Sequence, residues 1–243
     1  KVGYGFGDFA SSMYWKIFSV YLMVFYTDVF GISAAAVGTM FLVTRIWDTL
    51  NDPIMGVLSD RTETKWGKFR PFLLFGAVPF AVIGVITFIT PDFSPTGKLV
   101  YAYATYTLMM MAYTSVNVPY ASLLGVISPY SEDRTSLASY RMVFAFAGSI
   151  FAFLLIEPLI SFFSHLGSDV PDLEQGWTYT MVVYGVIAAI LFYLTFLLTK
   201  ERISPPKEQS KSVKQDFKNL LKNKPWFVLL GAALSTLIFN SSL

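Results

Sequence analysis

Long apolar runs recur along this chain at the length that a helix needs to cross a lipid bilayer. About 20 mostly apolar residues span a hydrocarbon core roughly 30 Å thick. Hydrophobic residues make up 54% of the 243 positions and charged residues 14%, against roughly 25% charged in an ordinary soluble domain. The sequence therefore predicts an all-α, polytopic membrane protein. Six complete runs cover residues 4–30, 35–59, 70–90, 98–127, 137–163 and 177–199, and a seventh begins at Pro225 and stops at Leu243.

Basic residues are concentrated in alternate connections between these runs. The connection 60–71 holds four Lys or Arg residues and the segment after the sixth run holds eight, whereas 31–34 holds none and 91–98 holds one. Cytoplasmic connections of membrane proteins are enriched in Lys and Arg. We therefore expect the amino terminus and both basic segments to be cytoplasmic.

Residues 201–224 read as the one clear linker. This segment opens with Pro205 and Pro206 and then spaces apolar residues among lysines, a pattern typical of a short amphipathic helix at a membrane surface. A solvated linker is the alternative. The predicted organisation is an amino-terminal six-helix bundle over 1–200, a cytoplasmic linker over 201–224, and the truncated start of a second bundle over 225–243. Two six-helix halves, and twelve spans in all, are expected in the whole protein.

The composition argues against several classes of function. No cysteine is present, and the single histidine, His165, lies in a connection between runs. Neither a cofactor nor the metal or nucleophile constellation of a membrane enzyme is therefore expected. The formal net charge of +2 is too small to suggest a nucleic-acid partner.

Ionisable residues inside the second run form the strongest candidate site. A charged group at membrane depth needs a partner, a water-filled cavity or a function. Arg45, Asp48 and Asp52 are spaced by three and four residues, which places them on one helical face, and Asn51 adjoins them in sequence. Two carboxylates one turn apart could hold a hard cation such as Na⁺ or share a proton. The alternative is that Arg45 neutralises Asp48 and the group only fixes helix packing.

Polar residues in three other runs are weaker candidates. Asp8, which follows three glycines in the first run, could accept hydrogen bonds from a substrate hydroxyl or could be stabilised only by the helix dipole. Thr114 and Asn117 share a face of the fourth run near Pro119, where polar contact between helices is the alternative role. Arg141, in the fifth run, could reach the membrane interface or turn inward to an acid.

Four stretches of the sequence carry a resemblance to known proteins: GYGFGDFA, YLMVFYTDVFGIS, RIWDTLNDPIMGVLSDRTETKWGKFRP and YTSVNVPYASL. They resemble the glycoside-pentoside-hexuronide:cation symporter family of the major facilitator superfamily, over nearly the whole chain. The combination of NDPIMG with WGKFRP is specific to that family. The stretch from Gly56 to Arg70, with Asp60, Arg61 and Gly67, also resembles the superfamily's loop motif after the second span. The resemblance implies a cytoplasmic charge clasp there that gates opening.

The resemblance also implies roles for the candidate residues in the second and fourth runs. Asp48 and Asp52 match two acids that bind the coupling cation in the family, and Asn51 and Thr114 fall in the same cation region. The coupling ion, Na⁺ or H⁺, is left open by the sequence. If it is Na⁺, the two carboxylates are its expected metal ligands.

A sugar site is implied by residues of the first, fourth and fifth runs. Asp8 matches an acid that binds sugar hydroxyls, Arg141 matches an arginine of the sugar site, and Tyr113 lies near them in the fourth run. Two positions depart from the family pattern, since Asn117 stands where an Asp binds sugar and Ala121 where a Trp packs beside it. Galactoside specificity is therefore in doubt, and a xyloside, glucuronide or other glycoside is equally compatible.

The sequence thus predicts cation-coupled symport of a sugar by alternating access, not enzymatic activity. The expected partners are a sugar or glycoside, a monovalent cation, the lipid bilayer and the missing carboxy-terminal half. The family points to a bacterial inner membrane. A non-transporting scaffold or sugar receptor derived from a carrier is the alternative function.

Overall fold

The computed structural model describes residues 1–167 and 170–203, together with single positions at 223, 225, 227, 231 and 235. Within these residues the chain forms helices and no β-strand, which confirms the predicted all-α fold. Each of the six complete apolar runs corresponds to one helical span, although the first is divided into α and π segments and the third extends four residues past the end of its helix. The helices are α1 (Val2–Lys16), α2 (Ala34–Arg61), α3 (Arg70–Ile86), α4 (Pro95–Ile127), α5 (Ser131–Ser164) and α6 (Leu173–Leu198).

The first span continues beyond α1 with two π-helical segments that the sequence did not predict. These are Ile17–Tyr21 and Phe25–Val29, separated by the short α-helical segment Leu22–Val24. Each π segment contains a hydroxyl that bonds to the carbonyl four residues earlier, Ser19 to Trp15 at 2.6 Å and Thr27 to Met23 at 3.1 Å. Such bonds compete with the regular helical N–H and help to explain the wider turn.

Three described helices, α4, α5 and α6, are long and apolar enough to cross a membrane. Helix α3 is apolar but has 17 residues. The second span is less apolar because α2 carries the charged residues of the candidate site, and the first span is divided by its π segments.

Helix ends differ from the predicted run boundaries because capping and first-turn residues extend the helices past their apolar stretches. Helix α4 begins at Pro95, since the hydroxyl of Ser94 accepts a hydrogen bond from Gly97 N–H. Helix α5 begins at Ser131, with acidic side chains in its first turn. Hydropathy alone places both starts several residues later.

Close packing of α1 against α5 depends on glycine. A side chain at Gly148 would collide with the backbone oxygen of Phe9, and one at Gly5 would collide with the ring of Phe144. The two helices can therefore approach at backbone distance. This approach brings the polar residues of α1 and α5 together.

Contacts divide the chain into two units, Lys1–Ser204 and Pro205–Leu243. The first unit contains the six helices. In the second, Pro225, Phe227, Gly231 and Ser235 are helical, and Ser235 Oγ donates to Gly231 O at 2.9 Å. Most of the predicted linker and seventh span lie outside the described residues, so the amphipathic helix and the truncated span remain predictions.

Candidate functional site

A hydrogen bond joins α2 to α4 at the predicted cation region. Thr114 Oγ1 donates to Asp52 Oδ1 at 3.0 Å, and Thr114 is buried. Pro53 follows Asp52 and has no N–H, so the carbonyl of Thr49 lacks its helical donor. The carboxylate of Asp52 and the released carbonyl of Thr49 therefore lie within one turn of α2, and the hydroxyl of Thr114 reaches this turn from α4.

Asp48 and Asn51 add unused polar atoms to this region. Asp48 Oδ1 and Asn51 Nδ2 are buried and have no hydrogen-bond partner among the described residues. A buried polar atom without a partner costs free energy. Turning the Asn51 amide about its last torsion would present its oxygen instead. These side chains can therefore supply oxygen ligands to a hard cation.

Arg45 does not form an ion pair with Asp48 or Asp52 in the described part of the chain. Its guanidinium lies over the ring of Trp15, 5.1 Å from the centroid. This geometry favours a cation–π contact. The alternative in which Arg45 neutralises Asp48 directly is therefore not the arrangement that the structure shows.

A second charged cluster joins α1 to α5. Arg141 Nε lies 3.1 Å from Asp8 Oδ2, and the Asp8 side chain is 10% exposed. The Arg141 guanidinium also lies over the ring of Tyr120, 5.2 Å from its centroid. Of the two orientations that the sequence left open for Arg141, the structure shows the inward one.

Two tyrosines form the base of this cluster. The rings of Tyr4 and Tyr120 are stacked with centroids 4.7 Å apart, and each hydroxyl donates to the backbone oxygen of the other residue. Because neither hydroxyl is free, the pair fixes α1 against α4 beneath Asp8 and Arg141. Sequence reasoning did not identify this support, since the residues are 116 positions apart.

Aromatic rings link Arg45 of α2 to α1 and α4. The Arg45 guanidinium lies over the Trp15 ring, and the centroid of that ring is 5.2 Å from the centroid of the Tyr113 ring. Asn117 is less available than the sequence suggested, because its Nδ2 donates to the carbonyl of Tyr113 at 3.1 Å. Its amide oxygen is the group left for a ligand.

The predicted gating stretch is held by a residue that sequence reasoning missed. The Glu201 carboxylate accepts backbone N–H bonds from Lys68, Phe69 and Arg70 at 2.8, 2.8 and 3.0 Å. Gly67 has a φ of +107°, and a side chain there would collide with this carboxylate. The available signal in the sequence was an acid just after the sixth apolar run, since an acid can stabilise the amino end of a neighbouring helix.

The other motif residues make different contacts. Arg70 donates to the carbonyl of Phe196 at 2.7 and 3.3 Å, Asp60 and Arg61 are exposed at the end of α2, and Gly56 faces open space within that helix. No ion pair joins Asp60 to a basic residue in the described ranges. The predicted charge clasp therefore remains a prediction.

Comparison with known proteins decides the family. A family model described as MFS/sugar transport protein matches residues 3–239. The chain belongs to this family. The resemblance to glycoside-pentoside-hexuronide:cation symporters is thereby confirmed, as is the interpretation of the chain as a multi-pass membrane protein.

Named relatives of this family member are transporters. This chain is 43% identical to the inner membrane symporter YicJ of Escherichia coli (strain K12) over 229 residues, which cover 94% of this chain and 48% of YicJ. It is 37% identical to the isoprimeverose transporter of Lactiplantibacillus pentosus, covering 95% and 48%. It is 34% identical to the glucuronide carrier protein homolog of E. coli (strain K12), covering 98% and 51%. The chain thus spans about half the length of these curated relatives.

Proposed function

We propose that this chain forms the amino-terminal half of a secondary transporter that carries a sugar or glycoside together with a monovalent cation by alternating access. The chain's family and the transporters among its relatives support symport. Two separate polar clusters, one rich in carboxylate oxygen and one with a paired acid and base, support two ligands.

The cation binds at Asp48 and Asp52, with Asn51 and Thr114 completing the site. The observation that carries this assignment is the Thr114–Asp52 bond beside the unpartnered oxygen of Asp48. Within the described residues no group of three His, Cys, Asp or Glu side chains gathers. The two carboxylates therefore need neutral oxygens to surround Na⁺, or they bind H⁺ without them.

The sugar binds beside Asp8 and Arg141, with Tyr113 and Asn117 at the edge of the site. An ionised carboxylate accepts hydrogen bonds and a guanidinium donates them, so the pair can hold two sugar hydroxyls from opposite sides. The fixed Tyr4–Tyr120 stack holds α1 and α4 together, which supports the position of Asp8 relative to Arg141. A largely buried pair strengthens these bonds relative to an exposed one.

Coupling follows from the charges. An empty cation site leaves buried carboxylate oxygen uncompensated, so cation binding removes a penalty that would otherwise oppose closure of the cavity. The two ligands then assist each other by a reciprocal free energy of about 1–3 kcal/mol. We further propose that the amino terminus and the α2–α3 loop face the cytoplasm of a bacterial inner membrane.

Uptake by the full-length protein in vesicles tests the proposal. A panel of labelled glycosides is offered under a Na⁺ gradient and, separately, a pH gradient, with Asp52→Asn alongside the unchanged protein. We expect accumulation that depends on one gradient and disappears in Asp52→Asn. The matched control is Asp92→Asn, an exposed acid in the α3–α4 connection, which should accumulate sugar normally.

Two results would contradict the proposal. Gradient-driven accumulation that survives Asp52→Asn would remove the cation assignment. Absence of uptake for every glycoside under both gradients, in protein that still binds sugar, would instead favour a receptor or scaffold.

A further inference from the structure

An apolar groove lies between α3 and α4. Its volume is about 550 Å³, and its two ends are marked by the α2–α3 loop residue Thr64 and by Ile83. The walls are almost entirely hydrocarbon. They include Phe72, Phe75, Pro79, Leu108, Met111 and Ala112.

The groove lies on the opposite side of α4 from the proposed sugar site. Met111 and Ser115 line the groove, whereas Tyr113, between them in sequence, contacts Trp15 of α1. Two residues along an α-helix correspond to a turn of about 200°. The groove therefore opens away from Tyr113 and the proposed sugar site.

Exposure of the groove's rim points to lipid as its surroundings. Phe75 is 62% exposed and Leu108 is 50% exposed, and Val78, on the same stretch of α3, is 62% exposed. Large apolar side chains in this number are not stable in water, but they are the normal surface of a membrane protein facing hydrocarbon.

The length of the groove matches one leaflet of a bilayer. From Pro71 to Ile83 the groove follows twelve residues of α3, which is about 18 Å along the helix axis. Half of a hydrocarbon core roughly 30 Å thick is about 15 Å. A single acyl chain entering at the loop end would therefore reach the centre of the bilayer.

Groups suited to a phospholipid headgroup lie at the loop end. Thr62 and Thr64 line the mouth, and their hydroxyls donate to the backbone oxygens of Leu58 and Gly67 at 2.8 Å each, which leaves oxygen lone pairs but not their protons for a headgroup. Lys65 lies over the ring of Trp66, 4.5 Å from its centroid, and that ring in turn contacts Phe75 at 5.7 Å. Trp is enriched at membrane interfaces, and basic residues there attract lipid phosphate.

We propose that this groove is a binding site for a membrane phospholipid, with one acyl chain between α3 and α4 and the phosphate beside Lys65. The acidic residues Asp60 and Glu63 are also exposed near the mouth, and Lys68 Nζ is engaged by the backbone oxygen of Asp60 at 3.0 Å. Lys65 is the cation assigned to the phosphate because its ammonium lies over the Trp66 ring, which contacts the groove wall at Phe75. The site is separate from the proposed transport sites and does not depend on their assignment.

Photo-crosslinking tests this site in the full-length protein reconstituted into vesicles. The probes are phosphatidylethanolamine and phosphatidylglycerol, each with a diazirine on one acyl chain, and adducts are located by peptide mass spectrometry. We expect adducts from both lipids to concentrate on residues 71–83 and 108–115, well above the level on the exposed face of α6. Equal labelling of both faces would show surrounding bulk lipid only and would overturn the proposal.

Filling the groove supplies a second test. Ala112→Trp places an indole on the groove floor, and we expect about a tenfold loss of groove adducts, equivalent to about 1.4 kcal/mol. Val186→Trp is the control, since Val186 is exposed on α6 outside the groove. Unchanged adducts in Ala112→Trp would refute the acyl-chain site. Unchanged adducts of both lipids in Lys65→Gln would refute the placement of the phosphate.

Discussion

Replacement of Thr114 by valine removes the hydroxyl that donates to Asp52, a carboxylate of the proposed cation site. Valine has nearly the same shape, so packing between α2 and α4 should be kept while the 3.0 Å bond to Asp52 Oδ1 is lost. A hydrogen bond to a charged group contributes about 1.5–3 kcal/mol. If that bond orients Asp52 for the cation, the affinity for the cation should fall about 10- to 100-fold in Thr114→Val.

The assay is the cation concentration that gives half-maximal sugar uptake by the full-length protein, measured for Na⁺ and for H⁺. Thr105→Val is the matched control, because Thr105 is equally buried at 5% exposure on the same helix but donates to backbone oxygens of its own helix, Tyr101 O at 2.9 Å and Ala102 O at 3.3 Å. We expect Thr105→Val to leave the half-maximal concentration unchanged. Thr114→Ser keeps the hydroxyl and should restore most of the affinity.

A normal cation dependence in Thr114→Val, with Thr114→Ser and Thr105→Val also normal, would refute this reasoning. The bond would then be only polar contact between helices, the alternative that the sequence left open. A loss that appears equally in Thr114→Val and Thr105→Val would mean that α4 packing, and not the bond to Asp52, determines the affinity.

Three further substitutions test other contacts. Arg141→Lys keeps the charge near Asp8 but loses the planar fork, so we expect sugar affinity, measured by calorimetry, to fall about tenfold without loss of cation affinity. Glu201→Gln removes the charge at the start of α3 and should speed hydrogen exchange of the amides at 68–70, by an amount that corresponds to about 1–3 kcal/mol; unchanged exchange would contradict the assigned contact. Gly148→Ala should lower thermal stability in detergent through overpacking that costs about 1–3 kcal/mol, whereas Gly38→Ala, which meets open space, should not.

The sequence was sufficient to predict the helices because each one depends on a local quantity, the length of an apolar run. It was also sufficient to place Asp48 and Asp52 on one face, since helical spacing determines that. The partner of Arg45 was not predictable in this way. Its contact with Trp15 depends on how α2 lies against α1, and no spacing within one helix carries that information.

Contacts distant in sequence account for the other omissions. Glu201 meets the α2–α3 loop across 131 to 133 positions, and only its place after the sixth apolar run gave a signal. The π segments were missed for a different reason, because hydropathy does not distinguish an α-helix from a wider one. The hydroxyls of Ser19 and Thr27 were visible in the sequence, but similar hydroxyls in α4 bond to their own helix without changing it.

Helix α1 is the element through which the two proposed sites can act on each other. Asp8 on this helix forms an ion pair with Arg141. About two turns further on, Trp15 makes a cation–π contact with the guanidinium of Arg45. A cation bound beside Asp48 would repel the Arg45 guanidinium and so weaken or shift its cation–π contact with Trp15. The π segments begin at Ile17, directly after that turn, and glycine packing holds α1 against α5 around Asp8. We therefore expect coupling between the proposed sites to act through movement of this one helix.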